Sequence, residues 1–268
     1  ASKIFPVYSV TDVTKEQRFL GKISELACGY QGGANAFMAM AKMYGINIER
    51  KRANQIKRLW RDANRHIVAF WEESNIAVMR AIRDGGTHPA GKAIFGVKNN
   101  FLMCRLPSGR NLYYYYPTLN RKPVHQFQIR HKEEATEYFT YHPAEYASLK
   151  QFYLHAADRH VEVYTFEGFE ISFWGVDSNT RKFSKMTTYG GKLVENITQA
   201  VARDIMAESM LKLEDAGYPI VLTVHDEIIS EVTDGTVEEF TSIMEEVPVW
   251  ANGLPIKVET YEAQRYRK

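Results

Sequence analysis

"VLTVHDEIIS", residues Val221–Ser230, places a histidine and two acidic residues inside an otherwise apolar run. The flanking residues are mostly β-branched, and turn-type residues stand on both sides, at 218–219 and 233–235. This composition predicts two short strands with the triplet His225–Glu227 at a hairpin. Ionised carboxylates between apolar strands need a cation, a metal ion or solvent as a partner. The triplet is therefore either a solvated turn or part of a metal site, and these ten residues leave both open.

Length and composition limit the kind of protein. The chain has 268 residues, 45% of them hydrophobic, which is enough to bury a core in one large or two modest domains. Its apolar runs are shorter than the roughly 18 to 20 residues of a membrane-spanning helix, and its first residues do not resemble a secretion signal. The two cysteines, Cys28 and Cys104, indicate neither a metal cluster nor a disulfide framework. We expect a folded, soluble protein of the cytoplasm with no membrane partner.

The charge is unevenly distributed along the chain. The net charge is only +2, but in the stretch Arg50–Arg65 every charged residue except Asp62 is basic. A basic stripe of this kind favours a polyanionic partner such as nucleic acid. It is also compatible with a solvated helix face, so the stripe alone does not decide between the two.

The first third of the chain is predicted to be helical. A capping-box pair, Thr14 and Gln17, indicates a helix over about 15–28. An Ala- and Met-rich stretch at 32–45 predicts a second helix, and the basic stripe predicts a third that continues without a break to Gly85–Gly86.

The rest of the chain changes character twice. From about 95 to 183 it consists of aromatic strand-like segments and turns, and after Gly190 a long amphipathic helix is predicted to end at Gly217. Stretch 236–250 predicts a short acidic helix, and 254–266 a final strand. The apolar positions of the long helix follow helical spacing: Leu193, Ile197, Val201, Ile205 and Leu211. This order of elements indicates an α+β fold rather than repeated βαβ units.

Basic and aromatic residues recur along the first predicted helix. Arg18, Lys22 and Leu26 are four residues apart, with Tyr30 one step further, so the helix projects them from one side. Such a face suits a triphosphate with a base beside it, because Arg and Lys bind phosphate oxygens and a tyrosine ring can stack on a base. An ordinary helix with surface Arg and Lys remains the alternative.

Three stretches together resemble family A DNA polymerases. "RFLGKISELACGYQGG" resembles their motif B helix, and "VLTVHDEIISEV" resembles motif C, a His-Asp-Glu hairpin of the palm. "TYGGKLVENITQAVARDIM" is similar to the helix before that hairpin in bacteriophage members. The similarity extends over most of the chain, including "LPSGRNLYYYYP" and "YEAQRYRK", and is weakest at 124–160. Three motifs in the family's order are far more specific than any one of them.

This resemblance implies an architecture and an activity. Residues 1–95 would form helical fingers that include motif B, 96–185 a β-rich connection between fingers and palm, and 186–268 the C-terminal palm with its antiparallel sheet and motif C. The implied activity is template-directed DNA synthesis with two Mg²⁺ ions, deoxynucleoside triphosphates and a primer-template as partners. A bacteriophage protein of this type would work in the cytoplasm of its bacterial host.

The resemblance assigns roles around the incoming nucleotide. Arg18 and Lys22 would bind its phosphates, with Lys22 also counted among the catalytic residues, and Tyr30 would stack near the templating base. Asp226 would bind metal, and Glu227 would be a nearby catalytic carboxylate.

Further residues are implied to contact DNA. Gln199 would donate to minor-groove acceptors that every correct base pair presents. His225 would lie near the primer end, Arg203 near the DNA backbone, and Arg110, in the "LPSGR" turn, near primer or template.

Two departures from the family pattern alter these expectations. Leu26 stands where well-known bacterial members carry Phe or Tyr, the residue that influences sugar discrimination. Glu195, followed by Asn196, stands where bacterial members carry Asn four residues before the glutamine, so that contact is not carried over.

The stretches quoted do not include motif A, which supplies the second metal-binding aspartate of the family. We expect a missing N-terminal half with motif A and the thumb, and with an exonuclease domain if the full protein proofreads. We therefore expect this chain alone to be weak or inactive as a catalyst.

Two other functions remain compatible with the sequence. The chain could be a non-catalytic nucleotide- or DNA-binding module or a subunit of a split polymerase. It could also be an unrelated metal-dependent hydrolase using His225 and Asp226, although no second ligand cluster at metal spacing is visible in the sequence.

Overall fold

The computed structural model describes residues 12–131, 137–141 and 159–266, and the side chains of 12–123 and 167–266. The stretch at 124–160, where the resemblance is weakest, lies outside the part of the chain whose side chains are described. The described residues form two compact units. The first contains the chain up to Tyr114 together with the residues from Tyr189 onward, and the second is Tyr115–Thr188. The mixture of helices and antiparallel sheet confirms the predicted α+β class.

The N-terminal helices belong to the first unit and largely follow the sequence pattern. Helix α1 (Lys15–Cys28) begins with the predicted capping box, because the Thr14 hydroxyl accepts from the backbone N–H of Gln17 and the Gln17 side chain accepts from the backbone N–H of Thr14. Helix α2 (Ala34–Met43) follows after a short turn. The capped start of α1 therefore lies where the sequence predicts it.

The predicted third helix is wrong in one respect, since it is two helices. Helix α3 (Arg50–Ala63) ends and helix α4 (Arg65–Asp84) begins around Asn64. The Asn64 side-chain amide donates to the carbonyl of Trp60 at 2.8 Å, and its φ and ψ of −123° and 45° are not helical. An asparagine that bonds to its own backbone in this way competes with helix continuation.

The helices of the first unit share one apolar core. Trp60 of α3 stacks on Trp71 of α4, with ring centroids 5.9 Å apart and an interplanar angle of 7°. Buried side chains from α1, α2 and α3 and one from the long C-terminal helix join this pair: Ile23, Ala27, Cys28, Ala34, Phe37, Ala41, Ala53, Ile56 and Val194. The core thus ties the N-terminal helices to the C-terminal part of the chain.

Antiparallel strands occupy the middle of the chain. In the first unit, β1 (Thr87–Ala90), β2 (Ala93–Lys98) and β3 (Phe101–Arg105) pair in order. Strand β4 (Asn111–His131) starts in the first unit and continues into the second. There β4 pairs with β5 (Glu137–Tyr141) and with β6 (Arg159–Val176), and β6 pairs with β7 (Phe183–Thr188). The predicted β-rich middle is confirmed.

The C-terminal part of the first unit begins with the long helix α5 (Gly190–Asp215). Leu193 and Ile197 are buried as its spacing predicts, but Leu211 is exposed, and the buried seam ends at Ser209 and Leu213 instead. At 3.6 residues per turn, position 211 lies on about the same side of the helix as Ile197, whereas 209 and 213 are rotated away from it, so the buried side of α5 changes along the helix.

Two short strands and two short helices complete the described chain. Strands β8 (Ile220–Val224) and β9 (Glu227–Ser230) pair antiparallel, and helix α6 (Val237–Glu245) and a 3₁₀ helix (Val249–Ala251) follow. The predicted final strand over 254–266 is wrong, because its described residues form no regular strand. The backbone N–H of Val258 donates to the Glu245 carboxylate instead of to a neighbouring strand. None of the helices in the described part of the chain is long and apolar enough to cross a bilayer.

Candidate nucleotide and DNA site

Helix α1 presents a basic row to solvent. Arg18, Lys22 and Leu26 are exposed, whereas Ile23 and Ala27 on the opposite side are buried in the core. The row that the sequence predicts on one side of the helix is therefore available to a ligand. Arg18 and Lys22 form no ion pair with any described carboxylate, so their charges are uncompensated by near neighbours.

Tyr30 lies in the turn just after α1 rather than on the helix itself. Its half-buried ring packs against the helical core. The indole N–H of Trp71 donates to the carbonyl of Gly29 at 3.1 Å, and the Arg61 guanidinium reaches the carbonyls of Gln31 and Gly32 at 3.4 Å. Side chains of α3 and α4 thus hold the turn that carries Tyr30.

Arg61 differs from the other residues of the basic stripe. Its guanidinium lies 5.7 Å from the ring centroid of Trp71, and burial lowers its pKa from the ordinary value. Within the described chain no carboxylate pairs with it. Arg61 therefore stabilises the turn after α1, whereas Lys51, Arg58 and Arg65 are exposed to solvent.

The start of α5 packs directly on the same turn. A Cβ at Gly190 would lie 2.0 Å from the carbonyl oxygen of Trp71, and a Cβ at Gly191 would lie 2.4 Å from the carbonyl oxygen of Tyr30. The backbone N–H of Gly191 donates to Oε1 of Gln31 at 2.8 Å. Only glycine allows this approach, so the paired glycines connect α4 and the turn after α1 to α5.

Helix α5 carries two of the predicted DNA-contacting residues in exposed positions. Gln199 and Arg203, four residues apart, are both exposed and project from one side of the helix. An Arg203 guanidinium nitrogen lies 3.7 Å from Sδ of Met210, a weak acceptor that leaves the cation available to a phosphate.

The predicted DNA contact Arg110 has a well-defined intramolecular partner. Its Nε donates to the Asp204 carboxylate at 2.6 Å, and its Nη2 donates to the carbonyl of Ala200 at 3.2 Å. The Ser108 hydroxyl donates to the same carboxylate. Arg110 therefore ties the turn between β3 and β4 to α5, next to Arg203, and part of its guanidinium remains exposed.

The acidic pair lies at the tight connection between β8 and β9. His225, with φ +56°, and Asp226 form the two-residue turn, and both are exposed. Glu227 is the first residue of β9 and pairs with Val224. The Tyr266 hydroxyl donates to Oε2 of Glu227 at 2.8 Å, and this hydrogen bond raises the pKa of Tyr266.

The acidic turn supplies only part of a metal site. Asp226 offers free carboxylate oxygens, which suit a hard cation such as Mg²⁺, while one oxygen of Glu227 already accepts from Tyr266. Among the residues that the structure describes, no group of three or more His, Cys, Asp or Glu side chains is placed to hold a metal ion. The donors fit Mg²⁺ in kind, and the remaining ligands would have to come from elsewhere.

The structure brings some predicted residues together and leaves others apart. The turn after α1 and the start of α5 touch through Gln31 and Gly191, and α5 contacts β8. No hydrogen bond or ion pair in the described residues joins the α1 row to Asp226.

Sequence reasoning missed the residues that connect these elements. Gln31, Arg61, Asp204 and Tyr266 act through contacts between distant parts of the chain. Only the consecutive glycines that begin α5, Gly190 and Gly191, leave a signal in the sequence, because adjacent glycines at a helix start indicate close backbone packing.

One comparison with known proteins agrees with the sequence motifs. No family model matches this chain, and no solved structure does. Over its whole length, the chain is 32% identical to a protein named DNA polymerase from Bacillus phage SP02. The chain spans about a third, 35%, of the length of that relative. This chain is thus similar throughout to one part of a bacteriophage protein named as a DNA polymerase.

Proposed function

We propose that this chain is the fingers and C-terminal palm portion of a bacteriophage-type family A DNA polymerase and takes part in template-directed DNA synthesis. The observation that carries the proposal is the exposed row Arg18, Lys22 and Leu26 on α1, which leads into the clamped turn at Tyr30. The similarity over the whole chain to a phage protein named DNA polymerase supports it.

In this proposal the α1 row binds the incoming nucleoside triphosphate. Arg18 and Lys22 supply charge-assisted hydrogen bonds to the phosphate oxygens, and their lack of near carboxylate partners leaves both charges available. Tyr30 stands at the end of the row, where its ring is held beside the templating base. Leu26, exposed on the same side, contacts the sugar with an apolar side chain that has no hydroxyl to form a hydrogen bond.

Helix α5 and its neighbours bind the primer-template. Gln199 hydrogen-bonds in the minor groove, and Arg203 binds the backbone. The exposed part of Arg110, which is ion-paired with Asp204 beside Arg203, lies near primer or template, and His225 contacts the primer end from the β8–β9 turn. The exposed basic residues of α3 extend the same electrostatic attraction, which falls with added salt.

Asp226 is the proposed metal ligand, with Glu227 beside it. Asp226 would hold a Mg²⁺ ion there, and the ion would supply stabilisation of negative charge on the reacting phosphates. Tyr266 fixes one oxygen of Glu227 and so leaves Asp226 as the freer carboxylate of the pair.

Nucleotide binding tests the α1 assignment directly. We expect Arg18→Ala and Lys22→Ala each to weaken binding of a deoxynucleoside triphosphate by about 1 to 3 kcal/mol, the scale of a hydrogen bond to a charged group. Isothermal titration with the intact chain measures this, and Lys42→Ala, an exposed lysine of α2, is the matched control. Unchanged affinity in both α1 variants would refute the assignment.

A second candidate is a nucleotide- and DNA-binding module without catalysis of its own. The exposed cations of α1 and the exposed Gln199 and Arg203 of α5 support it, because binding of nucleotide and DNA needs only these side chains. Primer extension with Mg²⁺ and all four nucleotides, by the chain alone and together with a separately supplied N-terminal half, separates the two when Asp226→Asn is measured beside the parent. Extension that appears with the N-terminal half and is lost in Asp226→Asn supports the polymerase portion, whereas no extension in either case by a folded chain that still binds nucleotide and DNA supports the module.

A further inference from the structure

The second unit carries a connected row of aromatic rings on its surface. Tyr116 lies 6.1 Å from Tyr115, Tyr115 lies 6.3 Å from Phe183, and Phe183 lies 5.9 Å from Trp174, all measured between ring centroids. These four residues, here called the aromatic face, are between 38% and 59% exposed. Phe183 is central, because its ring contacts both Tyr115 and Trp174.

The pairing of the strands places these side chains on one side of the sheet. Tyr115 pairs with Trp174, and Trp174 pairs with Lys185, and directly paired residues share a face. The strand register shifts between Tyr115 and Thr118, and Tyr116 within this irregularity has a positive φ of 50°. An irregularity of this kind changes the direction of a side chain, here that of Tyr116. Two neighbouring tyrosines therefore remain at the surface together.

Positive charge surrounds the aromatic face. Arg181 and Lys182 precede Phe183 in the turn between β6 and β7, Lys185 lies across from Trp174, and all three are exposed. In the described chain, none of the three forms an ion pair. The acidic residue of this turn, Asp177, instead accepts from the backbone N–H groups of Asn179 and Thr180 at 3.0 and 2.7 Å.

We propose that the aromatic face binds an unpaired DNA strand by base stacking. Exposed rings interleaved with basic side chains are the two components of single-strand recognition, in which aromatic rings stack on bases and cations follow the backbone. Large exposed aromatic clusters mark interaction surfaces, and the surrounding positive charge favours a polyanion over an apolar protein surface. The identification of that strand as unpaired template rests on the proposed function.

Oligonucleotide binding by the intact chain tests this inference. We expect the chain to bind labelled (dT)₁₂ more tightly than a blunt 12-base-pair duplex, because bases within a duplex are not free to stack. Phe183→Ala should weaken (dT)₁₂ binding about tenfold, the scale of one lost stacking interaction. Phe169→Ala is the matched control, since Phe169 is 51% exposed but stands on the opposite face of β6 by strand alternation.

Salt dependence and nucleotide binding complete the test. Replacing Lys182 and Lys185 by Gln should reduce the slope of log affinity against log salt by about 0.7 for each lost contact. Binding of a nucleoside triphosphate should be the same in Phe183→Ala as in the parent, so failure of this inference is distinguishable from failure of the α1 assignment.

Three results would overturn the inference. They are equal (dT)₁₂ affinity in the Phe183 and Phe169 variants, equal binding of single strand and duplex, and self-association of the chain that depends on Phe183 while DNA has no effect.

Discussion

Gly190→Ala should destabilise the first unit, although alanine is the better helix former. Within a helix the substitution alone would contribute about 1 kcal/mol in favour of the folded chain. At this position the added Cβ would lie 2.0 Å from the carbonyl oxygen and 2.7 Å from the carbonyl carbon of Trp71. The obstacle is backbone and cannot rotate away, so the start of α5 must move off α4.

The change in the free energy of unfolding is the sum of two contributions, the helix propensity of alanine and the clash with the backbone of Trp71. Overpacking costs about 1 to 3 kcal/mol, and contact with backbone places this case at the upper end. After the helix-propensity gain, the free energy of unfolding should fall by about 2 kcal/mol, which lowers Tm by about 4 to 8 °C in a unit of this size. The shift also separates Gly191 from Gln31, so nucleotide binding should weaken with stability.

Thermal unfolding followed by far-ultraviolet circular dichroism measures the change. Gly33→Ser is the control, because a Cβ there meets nothing within 4 Å and serine suits the N-cap position just before α2. A Gly190→Ala chain that melts at or above the parent temperature would show that α5 does not pack on Trp71 as described.

Two further substitution and pH effects follow from buried groups. Asp204→Ala should lower the free energy of unfolding by about 1 to 2 kcal/mol, because the Asp204 side chain is only 11% exposed and accepts hydrogen bonds from Arg110 and Ser108. Urea unfolding measures this free energy, and a change smaller than the error of the method would contradict the prediction. Burial raises the pKa of the Cys28 and Cys104 thiols to about 11 and about 12. Because the thiols of the unfolded chain ionise near 9.0, the stability that the two buried thiols contribute is present below about pH 9 and is lost as the pH rises toward the pKa values of the folded chain. Between about pH 9 and those folded-chain pKa values, Tm should therefore fall less steeply with pH after Cys→Ala at both positions.

Local patterns were sufficient for several elements of the fold. The capping box at Thr14 and the apolar side of α1 predict the helix and its exposed basic row, because both depend on residues within one or two turns. The pattern was insufficient at Asn64, where a side chain bonding to its own backbone ends a helix, and at 254–266, where a strand-like composition pairs with none of the described strands.

Helical and strand periodicity are local properties of the chain, so they were sufficient to predict the α+β class, the exposed Arg18–Lys22 row and the acidic residues between two short strands. Tertiary contacts, in contrast, establish how Tyr30 is held, which residue is ion-paired with Arg110 and which rings form the aromatic face. These depend on pairs far apart in sequence, such as Gln31 with Gly191 and Arg110 with Asp204. No local pattern encodes such pairs, because packing of the whole core brings them together.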